Sequence, residues 1–226
     1  MAAAPLALLA LCWVGSACGQ VGVSLQVESD YQFRGVSLSD DQPDAHLLIA
    51  YDHRSGWFAG AALAGVEVAP GKRRGQWLAY MGYARPVGFG LAGEVGVNVS
   101  HFGGATSFDY QEIFAGVSGE RWSLRLSYSP DYFGRGVRTL YTELNASLPL
   151  VTSLRGFAHA GLLDTLGTAA RIGSSRSRLD GRLGLAFSSS SFELQLARYA
   201  SSTGGPYAAE YDRRRGGWWL SASSFF

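Results

Sequence analysis

The sequence predicts an all-β protein: a closed antiparallel transmembrane β-barrel of about twelve strands, preceded by an N-terminal signal peptide. Three observations lead to this fold class. Apolar and polar residues alternate with a period of two along most of the chain after residue 20. The connections between the alternating segments are long and short in turn. Beyond the first residues there is no apolar run of the ~18 residues that a membrane helix needs.

Residues 1–19 are predicted to be the signal peptide, which leaves residues 20–226 as the barrel domain. Residues 6–14 form an apolar run of signal-peptide length, and Ala17-Cys18-Gly19 fits a small-x-small cleavage site. Lipid attachment at Cys18 is the alternative, but Gly15 stands where a large aliphatic residue is expected. We therefore expect simple cleavage before Gln20 and export through the periplasm.

Both cysteines of the chain, Cys12 and Cys18, fall within this segment. The mature chain would therefore contain no thiol, which suits a protein that crosses an oxidising compartment unfolded. The net charge of the whole chain is +1, so no bulk field indicates nucleic acid as a partner.

Period-two alternation is clearest in the first predicted strand, residues 21–34. A strand turns successive side chains to opposite faces, so alternation indicates one apolar and one polar face. The odd positions are Val21, Val23, Leu25, Val27, Ser29, Tyr31 and Phe33, and the even positions are Gly22, Ser24, Gln26, Glu28, Asp30, Gln32 and Arg34. The apolar face is predicted to contact lipid and the polar face to line the lumen.

Eleven further segments of about ten residues, the length that crosses a bilayer as a tilted strand, continue the pattern. They are centred on residues 44–53, 57–68, 76–86, 89–100, 108–118, 121–128, 138–148, 154–163, 178–188, 192–196 and 218–226.

The connections alternate in length. The longer ones are residues 36–43, 69–75, 101–107, 130–137, 164–177 and 201–215, and the tight ones are residues 53–56, 87–88, 119–120, 149–153 and 188–191. This alternation is typical of outer-membrane barrels, which have long outer loops and short periplasmic turns. Closure of the sheet would pair the edge groups, which lipid cannot hydrogen-bond.

Several motifs resemble the TorF-type porin family, an uncharacterised proteobacterial family of outer-membrane barrels. The first is YQFRGVSLSDDQP at residues 31–43, followed by YDHRSGWFAG at residues 51–60. Further matches are residues 109–112, 127–134 and 148–150, so the resemblance spans most of the predicted mature chain. It implies an outer-membrane location and a barrel fold. The terminal Phe226 is also similar to the aromatic end residue of outer-membrane barrels, which implies the barrel-assembly machinery as a partner.

The most distinctive candidate site is Arg34 with the loop motif Ser37, Ser39, Asp40 and Asp41. Alternation places Arg34 in the lumen near the outer rim. One interpretation makes Arg34 a constriction residue paired with Asp40 or Asp41. The other is a structural salt bridge that pins the first loop, and this one is favoured.

Inward-facing charges are distributed unevenly along the chain, with acidic residues early and basic residues late. In a closed barrel this could place an acidic wall opposite a basic wall, and charged linings select solutes by sign. The acidic lumen candidates are Glu28, Asp30 and Glu94, and the basic ones are Arg121, Arg125, Arg155, Arg178 and Arg182. Alternatively, these charges pair across a lumen that is too narrow to conduct.

Three functions remain open. The first is a porin, a passive channel for small polar solutes in a Gram-negative outer membrane. The second is a closed interaction barrel whose loops bind lipopolysaccharide or a partner, with Lys72-Arg73-Arg74 and Arg213-Arg214-Arg215 available for phosphates. The third, less favoured, is a lipid-modifying enzyme, since His46, His53, His101 and His159 form no recognisable Ser/His/acid pattern. No phosphate loop, zinc spacing or calcium loop indicates a cofactor.

Overall fold

A computed structural model of the chain describes residues 19–67, 71–167, 175–207, 211 and 215–226. The predicted signal peptide lies outside these residues, apart from Gly19. Within the described ranges, no helix has both the length and the apolar character needed to cross a membrane.

Twelve long strands of the described residues form one closed antiparallel barrel, and two short strands form a separate hairpin. The barrel strands are β1 (Gln20–Glu28), β4 (Asp44–Asp52), β5 (Trp57–Glu67), β6 (Arg73–Gly88), β7 (Leu91–Phe102), β8 (Tyr110–Ser118), β9 (Trp122–Ser129), β10 (Arg138–Val151), β11 (Leu154–Leu166), β12 (Ser177–Ser188), β13 (Phe192–Ser201) and β14 (Arg215–Phe225). The hairpin consists of β2 (Gln32–Phe33) and β3 (Val36–Ser37), and 3-10 turns lie at Thr106–Phe108 and Tyr132–Gly134.

Consecutive barrel strands pair with each other, and β14 returns to β1 to close the sheet. In this last pair Ser24 lies opposite Phe225, and Glu28 lies opposite Ser221. The backbone N–H of Phe226 also donates to the carbonyl of Val23 at 2.9 Å. Closure leaves no unpaired edge, which is the requirement for a sheet in lipid. The predicted fold class is therefore confirmed.

The two faces of the strands are separated as the alternation predicts. Along β12 the exposed residues Leu179, Leu183, Leu185 and Phe187 point outward, as do Leu194 and Leu196 of β13. Aromatic side chains lie on the outer surface near the strand ends, where amphipathic rings suit a membrane interface. They include Tyr51, Trp57, Trp77, Trp122 and Trp218. The outer surface of the barrel is thus an apolar belt.

The long and short connections lie at opposite ends of the barrel, which we call the loop end and the turn end. At the turn end, tight connections such as Phe89-Gly90 between β6 and β7 link neighbouring strands. At the loop end, the longest wholly described connection is residues 29–43 between β1 and β4. The predicted alternation of connection lengths is therefore confirmed.

The extent of the first strand is the main correction to the sequence analysis. β1 ends at Glu28, whereas alternation predicted a strand through Arg34. Tyr31 and Phe33 were assigned to the lipid face, but Phe33 is buried and Tyr31 packs against the same apolar cluster inside the barrel. The chain leaves the wall after Glu28 and folds back into the lumen, so its side chains are buried by other barrel residues and not by lipid.

Candidate functional site

The connection of residues 29–43, called the plug loop from here on, fills the lumen at the loop end. Its central hairpin, β2–β3, pairs only with itself and adds no strand to the barrel sheet. The buried residues of this loop are Asp30 and residues 32–39. The distinctive sequence motif therefore builds an internal plug and not an external loop.

Arg34 joins the plug loop to the barrel wall through an ion pair with Glu112 of β8. The two guanidinium nitrogens donate to the two carboxylate oxygens at 2.6 and 2.7 Å. Asn98 of β7 also donates to Glu112, at 3.2 Å. The guanidinium lies over the Tyr141 ring at 4.4 Å. Two parallel hydrogen bonds make this the geometry in which Arg recognises a carboxylate most specifically.

The interpretation of Arg34 as a residue that pins the first loop agrees with this geometry, but the expected partner is wrong. Asp40 is exposed at the surface of the plug loop. Asp41 is also exposed and forms its ion pair with Arg215 at the start of β14. Both aspartates follow the hairpin, where the chain has already returned to the rim, so neither reaches the lumen side of Arg34.

Gly35, next in the chain, is held by another part of the wall. Its carbonyl accepts hydrogen bonds from Arg178 of β12 at 2.7 and 3.2 Å and from Ser201 of β13 at 2.9 Å. Gly35 has a φ of +77°, and a Cβ at this position would lie 2.9 Å from the Cβ of Ser201. Glycine is needed here because only it combines the left-handed backbone with so close an approach. Arg178 is fully buried and thus serves the plug, not an open lumen wall.

Asp30 and the serines of the motif organise the base of the plug loop. Ser37 and Ser39 donate to Asp30 Oδ1 at 2.5 and 3.1 Å, and Gln32 donates to Oδ2. Burial raises the pKa of the Asp30 carboxyl above its ordinary value, although these hydrogen bonds act in the opposite direction. The serines predicted as a loop motif therefore bind a carboxylate within the same loop.

Aromatic side chains complete the seal at the loop end. Phe33 and Val36 pack with Tyr132 and Phe133 of the β9–β10 loop and with Tyr207 of the β13–β14 loop. The hydroxyls of Tyr132 and Tyr207 lie 3.0 Å apart. This cluster also contains Leu38, Val66, Phe102, Tyr110, Tyr141 and Leu163. Three inward-folded loops thus form one apolar core across the loop end.

Below the plug lies a chamber of about 1260 Å³ that extends to the turn end. Its roof includes Tyr31, Gln32, Arg34 and Gly35 of the plug loop. Its wall comes mainly from β1 and β10 to β14, and its rim includes Gly90, Ser118, Ser189 and Phe226. On β5, β6 and β8 the ring of Phe58 lies beside the rings of Tyr80 and Phe114, with centroids 6.2 and 6.4 Å away.

The predicted lumen charges occupy different levels of the barrel. Glu28, Arg121, Arg155 and Arg182 line the chamber together with Arg34. Arg121 lies at the turn-end rim and is more than half exposed, 3.6 Å from Glu120. Asp30 and Arg178 belong to the plug.

Arg155 and Arg125 each form an ion pair within the barrel wall. Arg155 of β11 contacts Glu193 of β13 at 2.9 Å. Arg125 of β9 contacts Glu94 of β7 at 2.7 Å. Each pair joins strands two apart in the sheet, so acidic and basic groups are interleaved. These residues therefore do not form the two opposed walls of charge that we expected.

Arg182 is placed differently, because its guanidinium lies 3.9 Å above the Trp219 ring. Trp219 is fully buried, and its Nε1 donates to Glu28 Oε2 at 2.9 Å and to the Asp30 carbonyl at 3.1 Å. His46 Nε2 lies 2.7 Å from the other oxygen of Glu28. This group connects the chamber wall to the base of the plug loop.

Sequence reasoning missed three residues of the site: Glu112, Trp219 and His159. Glu112 alternates with the outward Ile113 of β8, so period two could have placed it in the lumen. His159 lies 2.7 Å from Asn145 Oδ1 and 3.0 Å from Asp180 Oδ1, an arrangement without local sequence signature. No cluster of three metal-ligating side chains occurs among the described residues.

The basic loop segments are only partly described. Arg73 pairs with Asp44, and Arg215 pairs with Asp41 as above. Lys72 is exposed. Arg213 and Arg214 lie outside the described residues.

A family model described as "Bacterial protein of unknown function (Gcw_chp)" matches residues 15–212 of the chain. The chain belongs to this family. No curated protein matches it. The Gcw_chp match includes the whole plug loop as well as most of the barrel.

Solved structures of similar fold include two porins. The NanC porin is 7% identical with a TM-score of 0.62, and 91% of this chain and 99% of that chain are covered. The KdgM porin is 12% identical with a TM-score of 0.58 and the same coverage. A structure of the KdgM porin in complex with disordered oligogalacturonate is 11% identical with a TM-score of 0.56, and 91% and 98% of the two chains are covered. At these identities the similarity establishes the barrel fold.

Proposed function

We propose that this Gcw_chp protein is an outer-membrane porin that admits small polar solutes by passive diffusion. The observation that carries the proposal is a chamber of about 1260 Å³, reached by several charged side chains, inside a barrel with an apolar outer surface. Long loops face the cell exterior and short turns face the periplasm in barrels of this kind. The chamber would then open to the periplasm.

The composition of the lining supports a water-filled chamber. Charged side chains such as Arg155, Arg182 and Glu28 reach its surface. A charge is costly to place in a dry interior, so these side chains favour water in the chamber. One porin of similar fold was solved with an oligogalacturonate, which supports a polar solute here. We also propose that the chain is a member of the TorF-type porin family, which the sequence motifs resemble.

Liposome swelling with sugars of graded size tests the proposal. Refolded protein should admit small sugars faster than protein-free liposomes do and should exclude large oligosaccharides. The matched variant replaces residues 31–39 by a short Gly-Ser linker, which removes the plug while leaving the barrel strands intact. If neither protein exceeds protein-free liposomes for the smallest sugar, the porin proposal is wrong.

The sealed loop end favours a second candidate, a non-conducting barrel whose outer loops bind lipopolysaccharide. Lys72 and Arg74 would supply the phosphate contacts. Binding of purified lipopolysaccharide by a Lys72→Ala/Arg74→Ala variant separates this function from transport, because these residues lie outside the chamber lining. Lipid hydrolysis has less support. The ring of the inward-facing His159 contacts Tyr141, Asn145 and Asp180. Ser55 lies 2.6 Å from His53 Nδ1, but this pair is in an exposed turn outside the chamber.

Two further parts of the proposal concern biogenesis. We propose export through the periplasm after removal of residues 1–19, which N-terminal sequencing of the membrane-inserted protein would test. We also propose that the barrel-assembly machinery recognises Phe226, which is exposed at the turn-end rim. A Phe226→Ala chain should then accumulate in the periplasm, whereas Val151→Ala, at another exposed turn-end position, should insert normally.

A further inference from the structure

The plug loop has the features of a movable gate. It crosses the lumen as a self-paired hairpin, whereas the barrel wall is a continuous sheet of twelve strands in the described chain. Between the two ends of the plug loop, the backbone hydrogen bond to the wall is the one that the Glu67 N–H donates to the Leu38 carbonyl, at 2.6 Å. The hairpin can therefore move without breaking a backbone hydrogen bond between two barrel strands.

We propose that the plug loop is a gate and that the Arg34–Glu112 ion pair is its latch. With the latch closed, the chamber is reached from the turn end alone. Solutes cross when the latch opens and the hairpin leaves the lumen. This inference rests on the proposed porin function and adds its regulation.

The ion pair suits a latch because it favours two distinct states over intermediate ones. Arg34 and Glu112 are both buried, at 7% and 2% exposure. Separation within the barrel would leave two uncompensated charges at buried positions, which is strongly unfavourable. Complete withdrawal of the hairpin would return Arg34 to bulk water and leave Glu112 facing a hydrated lumen. The closed and withdrawn states are therefore both satisfied electrostatically.

The hairpin keeps its shape without the barrel wall. Phe33 pairs with Val36, so Arg34 and Gly35 form a two-residue turn, with φ of 47° and 77°. Positive φ at both central residues is what such a hairpin turn requires. The hairpin can therefore move as a unit when the ion pair opens.

The gate also has a second holding point, at the Gly35 carbonyl. The two points lie on different parts of the wall, with Glu112 on β8 and Arg178 four strands away on β12. Removal of Arg34–Glu112 alone therefore frees one side, and the hairpin remains tethered by the other. We expect a partly open population and not a permanently open barrel.

The test combines single-channel conductance with thiol labelling of the refolded chain. Glu112→Gln keeps the shape of the side chain and its contact with Asn98 but removes the charge. It should raise the open fraction several-fold over the parent protein. Glu94→Gln is the matched control, because it breaks an inward ion pair within the wall that holds no loop, and it should leave the open fraction unchanged. An equal open fraction in the parent and Glu112→Gln proteins would overturn the latch.

Labelling separates failure of the gate from failure of the pore. Gln26→Cys places a thiol in the chamber below the plug, and a membrane-impermeant maleimide is added from the loop side. The thiol should react slowly in the parent and Glu94→Gln backgrounds and several-fold faster with Glu112→Gln. Asp40→Cys, exposed on the loop, should react in every background. Equal rates at Gln26→Cys in all backgrounds would overturn the gate, even if the protein conducts.

If labelling follows the expected order but no variant conducts, the gate stands and the porin proposal fails. Each variant is first checked for the different gel mobility of boiled and unboiled barrel. Should Glu112→Gln not fold, Arg34→Gln removes the same charge pair from the loop side and carries the same expected results.

Discussion

Arg178 of β12 donates two hydrogen bonds to the carbonyl of Gly35, a residue 143 positions earlier in the chain, at 2.7 and 3.2 Å. The guanidinium is fully buried and also lies over the Tyr207 ring, at 5.3 Å. One side chain therefore holds two of the three loops that fill the loop end.

Replacement of Arg178 by Ala should loosen the plug while leaving the barrel closed. Among the described residues, the Gly35 carbonyl would keep the Ser201 hydroxyl as its side-chain donor. Amide hydrogen exchange of residues 31–39 should become at least tenfold faster, and that of β12 should change little. Arg198→Ala is the control, since Arg198 is exposed and packs over Trp218 away from the plug. Unchanged exchange in residues 31–39 would show that the other contacts alone hold the plug.

Trp218 and Trp219 are neighbours in β14, but Trp218 faces outward and Trp219 faces inward. We therefore expect their substitution to affect stability unequally. Trp219→Phe loses the Nε1 hydrogen bonds to Glu28 and the Asp30 carbonyl, which should lower the free energy of unfolding by about 1–3 kcal/mol. Trp218 is 67% exposed on the outer face, so Trp218→Phe should change it by less than about 0.5 kcal/mol. Urea midpoints in the same lipid measure both. Equal midpoints for the two variants would contradict the inward placement of Trp219.

The buried carboxyl of Asp30 predicts a pH dependence of stability. Burial raises its pKa above 3.8 in the folded state, so the folded chain binds the proton more tightly than the unfolded chain does. The contribution of Asp30 is then fully present below pH 3.8 and is lost as the pH rises through the raised pKa.

Asp30→Asn removes this titration and is the reference for the measurement. The unfolding free energy of the parent minus that of the variant should fall as the pH increases from 3 to 7, measured by denaturant unfolding in lipid. A difference that stays constant or rises over this range would show that the carboxylate is favoured in the folded plug.

The position of the apolar belt predicts how charge is tolerated at different depths. Leu183 is 69% exposed near the middle of β12, and Leu183→Arg should cost about 2–4 kcal/mol. Leu150 is 49% exposed near the turn end of β10, and Leu150→Arg should cost about 0–1 kcal/mol. Urea titrations in lipid vesicles compare the two. A cost that is equal at both depths would contradict a bilayer centred on these strands.

The barrel could be predicted from the sequence because the alternation of apolar and polar residues is a local pattern within each strand. In β9, Trp122, Leu124 and Leu126 alternate with Ser123 and Arg125, and each residue reports the face that it occupies. The loop lengths then indicate which ends lie together. Neither inference needs knowledge of contacts between distant residues.

The plug could not be predicted in the same way. Alternation continues to Arg34, although the strand ends at Glu28, because burial inside the lumen and burial in lipid select similar side chains. The partner of Arg34 lies 78 residues away, so nothing near Arg34 indicates Glu112. The nearby Asp40 and Asp41 were the expected partners only because they are close in sequence.

The contacts of the plug loop also impose an order on the assembly of the protein. Glu112, Arg178 and Ser201 come from β8, β12 and β13, all later in the chain than residues 29–43. The hairpin cannot be fully anchored until those strands have joined the sheet. A molecule whose sheet closes before the hairpin is anchored would have an unobstructed lumen, so the rate of this last step sets how long each new barrel stays open.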